Sequence, residues 1–448
     1  MLSPDEKLTA LLDSFARKIA NDPGALEPHD PRYVSNLHGT PAEAVVVTMK
    51  RAIERLVGSA RFYFTGQRGT GKSTELRRLA GLLNKSTTTR AFVVDALGYI
   101  AETHPITLND LLLLVALAFA EAIKESAGQD FLKEDLATRF GNWLETEVAL
   151  TGFTVGGAKV ELKAQQQSVS ERIREFDLAR QERMIDESRK YITELADFAR
   201  KHFGCEKVVL IVDSLERLRG SGADTNPMFE RVVKVFDGGV NNLLIDRLQV
   251  IYAVPPYLTF LTNVQAYAQV FTLASVRVCQ RPDGVHKRQP REEGLQVMRE
   301  VVTLRFADWS MVLSQEALDH LIFHSGGDLR QLLRRFLIDV IDQCYFVLSE
   351  LPLNKGHKVI ATTIARLQGE YDALVVRDEY PLLKNIAETN TVDISNGERD
   401  LPVAARFFDI RAVLSYRNGV DWVDLNPLLW PLIDKYTPPA SSNAAGEA

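Results

Sequence analysis

An α/β fold built on a parallel sheet, followed by a helical region and a smaller mixed region, is what three features of the 448-residue sequence predict. The first is RFYFTGQRGTGKSTELRRL, Arg61–Leu79. An apolar strand candidate there runs into a loop fitting G-x-x-x-x-G-K-[ST] at Gly66, Gly71, Lys72 and Ser73, and a helix-forming run follows. The second is the alternation of short apolar strands with helical stretches, the pattern of parallel α/β sheets. The third is the uninterrupted apolar run Val208–Val212, suited to a strand buried on both faces and closed by Asp213.

At this length one core is not enough, and two or three domains are expected. The net charge of −6 gives no broad attraction to nucleic acid or to an anionic membrane. Cys205, Cys279 and Cys344 are too few and too scattered for a disulfide framework or a zinc site, which points to a reduced compartment. The opening MLSPDEKLTALL carries acids where a signal peptide carries lysines. The longest apolar run, Leu111–Ala120, is about half the ~20 residues that a bilayer requires. It reads as a buried helix, so a cytoplasmic protein with no membrane partner is expected.

Along the chain, residues 1–40 form an N-terminal helical extension, broken by the prolines and glycines of NDPGALEPHDPRYVSNLHGTP. Residues 41–294 form the sheet-bearing core. Its strands are expected at Arg61–Thr65, at RAFVVDA ending in Asp95, at KVVLIVD, at LQVIYAV and within QVFTLASVRVC. An insertion at about 128–205 carries a hairpin candidate turning at Gly156-Gly157 and a charged run. That run keeps apolar residues at Val169, Ile173, Phe176, Ile185, Ile192, Leu195 and Phe198. Read as one helix it would be about 50 Å long. Residues 295–355 are helical, with a break at Ser325-Gly326-Gly327 and a new helix capped near Asp328. Residues 356–436 hold three helices and a hairpin through Asn418-Gly419. The tail 437–448 is expected to be disordered.

The chemistry concentrates at the loop. Gly66, Gly69 and Gly71 free the backbone of Gly66, Gln67, Arg68, Gly69, Thr70, Gly71, Lys72, Ser73 and Thr74 to turn N–H groups toward phosphate oxygens. The following helix adds its positive end. Lys72 would reach the β- and γ-phosphates, and the Ser73 hydroxyl would ligate Mg²⁺. Asp213, at the carboxyl end of its strand, can hold the same ion. Glu216, three residues on, can orient or deprotonate an attacking water. The expected ligand is therefore a nucleotide polyphosphate with Mg²⁺. Ala253, Val254, Pro255 and Pro256, at the tip of another strand, offer no side-chain γ-phosphate sensor. The loop after Val276 gathers Arg277, Arg281, Lys287, Arg288 and Arg291, either a solvated loop or a contact for a partner.

In this order, the loop (Walker A), LIVDSLER (Walker B) and Gly326-Gly327-Asp328-Leu329-Arg330 resemble the motifs of AAA+ and STAND P-loop ATPases, close to the Orc/Cdc6-like branch. Ser214 and Glu216 lean toward STAND proteins, and Arg330 toward the Orc/Cdc6 side. The resemblance spans residues 30–435 and implies a helical lid at 295–355. It also implies a sensor arginine at Arg330 over the nucleotide and a winged helix-turn-helix at 356–436. It further implies ATP or ADP with Mg²⁺ as ligands, slow ATP hydrolysis, and a molecular switch that couples nucleotide state to a protein partner or homo-oligomer, with prokaryotic signalling or phage defence among the roles. A DNA-binding initiator or transposition-type regulator is the alternative, and an adaptor that never turns over is a third reading. Between His357 and Tyr436 nine Lys/Arg face twelve Asp/Glu, so a latch or protein contact is favoured over DNA.

Overall fold

The computed structural model describes residues 3–21, 24–39, 44–128, 131, 135–148, 171–219, 225–282 and 288–436. The hairpin candidate at Gly156-Gly157, Val169, Lys287 and the tail 437–448 lie outside them. The chain forms two compact units, Pro23–Ala274 and Met1–Asp22 with Ser275–Ala448. Helix α1, Pro4–Ala20, opens the chain and belongs to the second unit.

The first unit is built on five parallel strands, β1 (Ala60–Gly66), β2 (Thr89–Asp95), β3 (Lys207–Asp213), β4 (Gln249–Val254) and β5 (Gln269–Leu273). Their order is β2-β3-β4-β1-β5. The inner strands read as apolar runs because both faces are covered. On one face α2 (Val45–Arg55) and α3 (Lys72–Leu83) pack Met49, Ile53, Leu76 and Leu79 onto Phe62, Phe64, Ile211 and Ile251. On the other, Phe92 meets Phe119 of α4 (Leu108–Ala127) and Phe203 of α5 (Leu178–Phe203). Tyr63 meets Phe236, to whose carbonyl its hydroxyl donates at 2.6 Å. The apolar run Leu111–Ala120 lies within α4 and is buried all round, enclosed between β2 and α5.

The direction of the connections reverses at β1. The connection through α3 leaves β1 toward β2, whereas the connection from β4 to β5 runs the opposite way past β1. Right-handed crossovers in opposite directions lie on opposite faces of a sheet, and ligand crevices open at the carboxyl ends of strands where this happens.

The charged insertion does not form one helix through Phe176. Helix α5 starts at Leu178, because the Asp177 side chain accepts from Arg180 N and caps it. A short helical segment, 171–175, precedes the break. Arg180 stacks 3.8 Å over the Phe176 ring. Met184, Tyr191, Ile192, Leu195 and Ala199 are buried, so α5 lies on the sheet and on α4 as an amphipathic helix.

In the second unit, Phe15 of α1 stacks on Phe306 at 4.2 Å, at the end of α6 (Glu292–Arg305). Tyr345 donates to Asp13 at 2.6 Å. Helix α7 (Gln315–His324) ends at Ser325-Gly326-Gly327, and a helical run over residues 329–344 follows. Then come α8 (Lys358–Asp372), α9 (Tyr380–Thr389) and α10 (Gly397–Asp409). The unit closes on an antiparallel hairpin, β6 (Val413–Asn418) and β7 (Val420–Leu425), turning at Gly419 with φ +76. Helix α10 begins at Gly397, where the Asn396 side chain caps it. No described helix is long and apolar enough to cross a membrane. Cys205, Cys279 and Cys344 are all buried free thiols.

Candidate functional site

The loop between β1 and α3 leaves the strand at which the connections reverse direction. Gly66 lies opposite Leu273 of β5, and a Cβ on it would stand 2.3 Å from the Leu273 carbonyl oxygen, so no side chain fits. Gly71, with φ +94, caps α3 in the left-handed region that glycine adopts at no steric cost. The Thr70 hydroxyl donates to the Gln67 carbonyl at 2.9 Å and closes the loop. Lys72 is buried, and its Nζ donates to the carbonyls of Gly66 and Gln67 at 2.8 Å each.

Asp213 is buried at the end of β3, level with Asp95 of β2. Ser214 takes a left-handed φ of 71 that is unusual for a serine, and its N–H donates to Asp213 Oδ1 at 2.7 Å. A single turn, Leu215–Arg217, then carries Glu216 into the interior. Glu216 Oε1 lies 3.3 Å from Lys72 Nζ, and its Oε2 has no hydrogen-bond partner among the described residues. The Ser73 hydroxyl lies near enough to the Asp213 carboxyl to favour its ionised form. Burial, and then the charge of Glu216, push the Asp213 carboxyl up to about 6, against the pull of Ser73, the Ser214 N–H and Lys72.

The expected residues Gly66, Lys72, Ser73, Asp213 and Glu216 are thus brought to one place. Thr74 turns away from the loop, because its hydroxyl accepts from Leu26 N at 2.9 Å. Arg68 reaches across to the Arg217 carbonyl. Arg330 lies in the second unit, in the first turn after the Asp328 cap. Around that cap, Gly327 has φ +80, and a Cβ there would stand 1.8 Å from the Val276 carbonyl oxygen. Asp328 pairs with Arg411 at 2.8 Å, and the Tyr416 hydroxyl donates to the Gly326 carbonyl at 2.8 Å. The glycines and the aspartate of this motif therefore seat the β6–β7 hairpin. At the tip of β4, beside β1, Val254 is buried opposite Thr65, so the strand offers an apolar end.

Sequence reasoning missed the segment 24–39. His38 Nε2 hydrogen-bonds the Thr70 carbonyl at 2.8 Å, and burial holds its pKa below the ordinary value, so a neutral ring donates there. Tyr33 donates to Glu75 at 2.8 Å, and Arg78 donates to the Tyr33 hydroxyl at 2.7 Å. Prolines and glycines marked this stretch as irregular, and irregular segments on a rigid scaffold often carry sites. The basic loop also differs from a solvated patch. Arg288 makes two bonds of 2.6 Å to Asp424, which is fully buried, and Arg281 stands 6.0 Å over Trp422.

The donor set fits a phosphate with a divalent cation. Two buried carboxylates share one lysine, which leaves unneutralised negative charge where burial makes it costly. A glycine cradle and a helix N-terminus lie beside them. No protein-family model matches the chain, and no curated protein matches it.

Proposed function

We propose that the protein is a Mg·ATP-dependent molecular switch of the AAA+/STAND kind that binds ATP and hydrolyses it slowly. In this reading the nucleotide state governs association with a protein partner or with further copies of the chain. Prokaryotic signalling or phage defence is the setting that the resemblance implies. The observation that carries the reading is the buried pairing of Lys72 with Glu216 beside the glycine loop, with Asp213 buried at the end of the neighbouring strand. Lys72 exchanges its loop carbonyls for phosphate oxygens. Ser73 and Asp213 would hold Mg²⁺, which would offset phosphate charge during transfer. Glu216, released from Lys72, orients the attacking water and accepts its proton. The three helices and hairpin at 356–436 act as a winged helix in a latch or protein contact, since the segment carries more acids than bases.

Phosphate release by the full chain with Mg·ATP tests the enzyme, with Glu216→Gln as the comparison. The same variant, loaded with ATP and used as bait, should retain the partner that the unsubstituted protein releases. Loss of neither turnover nor partner release in that variant would remove Glu216 from the mechanism. The sensor role that the resemblance gives Arg330 is tested separately. Arg330→Ala should lose most of the preference for ATP over ADP.

A further inference from the structure

Glu216 is carried by very little backbone. Between Asp213 and Leu218 the chain makes one left-handed residue, Ser214, and one turn closed by Arg217 N to Ser214 O at 3.0 Å and Leu218 N to Leu215 O at 3.2 Å. With one carboxylate oxygen unbonded, the side chain takes its direction from Lys72 and from that turn. Phosphate would take Lys72 away, so the turn must be held from elsewhere.

The loop after β2 does this. Glu102 accepts from Arg217 through one carboxylate oxygen and lies 3.4 Å from Arg219 through the other. Its carbonyl accepts from Arg219 N at 2.9 Å. Arg68, of the loop after β1, donates to the Arg217 carbonyl. Two loops at the carboxyl edge of the sheet are thereby tied to the one turn that bears Glu216. We infer that Glu102 is a positioning residue that aims Glu216 through Arg217 and Arg219, an inference that rests on the hydrolytic reading above. Without Glu102 two arginines two residues apart lose their shared carboxylate and repel, and the turn is free to rotate.

The test uses the full chain, with steady-state phosphate release for kcat and KM and calorimetry for Mg·ATP affinity. Glu102→Ala should lower kcat by about a hundredfold, the effect of a misplacement near 1 Å. KM and affinity should stay within about threefold, since ground-state binding is untouched. Combined with Glu216→Gln, it should slow turnover no further than Glu216→Gln alone. The charge swap Glu102→Arg with Arg217→Glu should restore most of kcat. If Glu102→Ala does not fold, Glu102→Gln, of the same shape without the charge, carries the same comparison. The inference fails alone if Glu216→Gln abolishes turnover while kcat survives loss of Glu102. It also fails if kcat and affinity fall together and the swap rescues neither, because the role is then structural. An unsubstituted protein that releases no phosphate overturns the hydrolytic reading and this inference together.

Discussion

Lys72 Nζ and Glu216 Oε1 stand 3.3 Å apart with both side chains almost wholly buried, so the charge expected to meet phosphate is held by the carboxylate expected to activate water. Each keeps the other tolerable in the interior. Breaking a buried pair by removing one partner costs about 3–5 kcal/mol, since the other is left uncompensated.

Lys72→Ala should therefore do two things. ATP affinity should fall by at least the tenfold that about 1.4 kcal/mol represents. The melting temperature without nucleotide should fall as well, because Glu216 loses its partner. Adding Glu216→Gln should recover most of the stability and none of the affinity. Calorimetry and thermal melts read the two effects apart, and unchanged ATP affinity in Lys72→Ala would refute the site.

The second unit holds its own buried pair. Asp424→Ala should destabilise that unit by about 3–5 kcal/mol in denaturant unfolding, because it strands Arg288. Arg288 is thus a poor reporter of nucleic-acid contact, and Arg281→Ala is the better one. Duplex DNA should bind more weakly than about 1 μM at physiological salt, the range of non-specific contacts. Tight binding in an anisotropy titration, lost in Arg281→Ala, would favour an initiator.

The contrast between these sites shows what the sequence can disclose. The strands and the place of Asp213 were legible because a doubly covered strand leaves an unbroken apolar run, and the loop because its glycines are spaced by its geometry. Arg288 read as part of a solvated loop or a contact for a partner, and its pairing within the unit was hidden because Asp424 lies 136 positions away. His38 and Leu26 were missed for the same reason, with Thr70 and Thr74 lying 32 and 48 positions on. Periodicity reports which face is buried, and it is silent about polar partners brought together by folding. The early break before α5 was legible in principle, since Asp177 is a good cap within an otherwise helical run.

Gly327→Ala should be among the most damaging single-methyl changes. It forces a left-handed φ on alanine and drives a Cβ to 1.8 Å from the Val276 carbonyl oxygen. A loss of about 2–4 kcal/mol is expected, from strain and from displacement of the backbone. Gly356→Ala is the control, because its nearest neighbour would lie at 3.5 Å. Equal melting temperatures for the two variants would contradict the packing at Gly327.

Asp213 gives the pH signature. Its carboxyl is pushed from 3.8 up to about 6 in the folded protein. Between these values the folded state binds more protons than the unfolded chain, so stability falls as pH rises through this window. At pH 7.5 the protein without nucleotide carries a buried, disfavoured carboxylate. Asp213→Asn should then raise its stability by up to about 3 kcal/mol, and the advantage should vanish below pH 4. Mg²⁺ reverses the preference, since it needs the ionised form. Mg²⁺-dependent nucleotide binding should weaken by about tenfold per unit as pH drops below 6, with uptake of one proton on release. Calorimetry in buffers of different ionisation enthalpy counts that proton. If Asp213→Asn binds Mg·ATP as tightly as the unsubstituted protein at pH 7.5, Asp213 does not hold the metal.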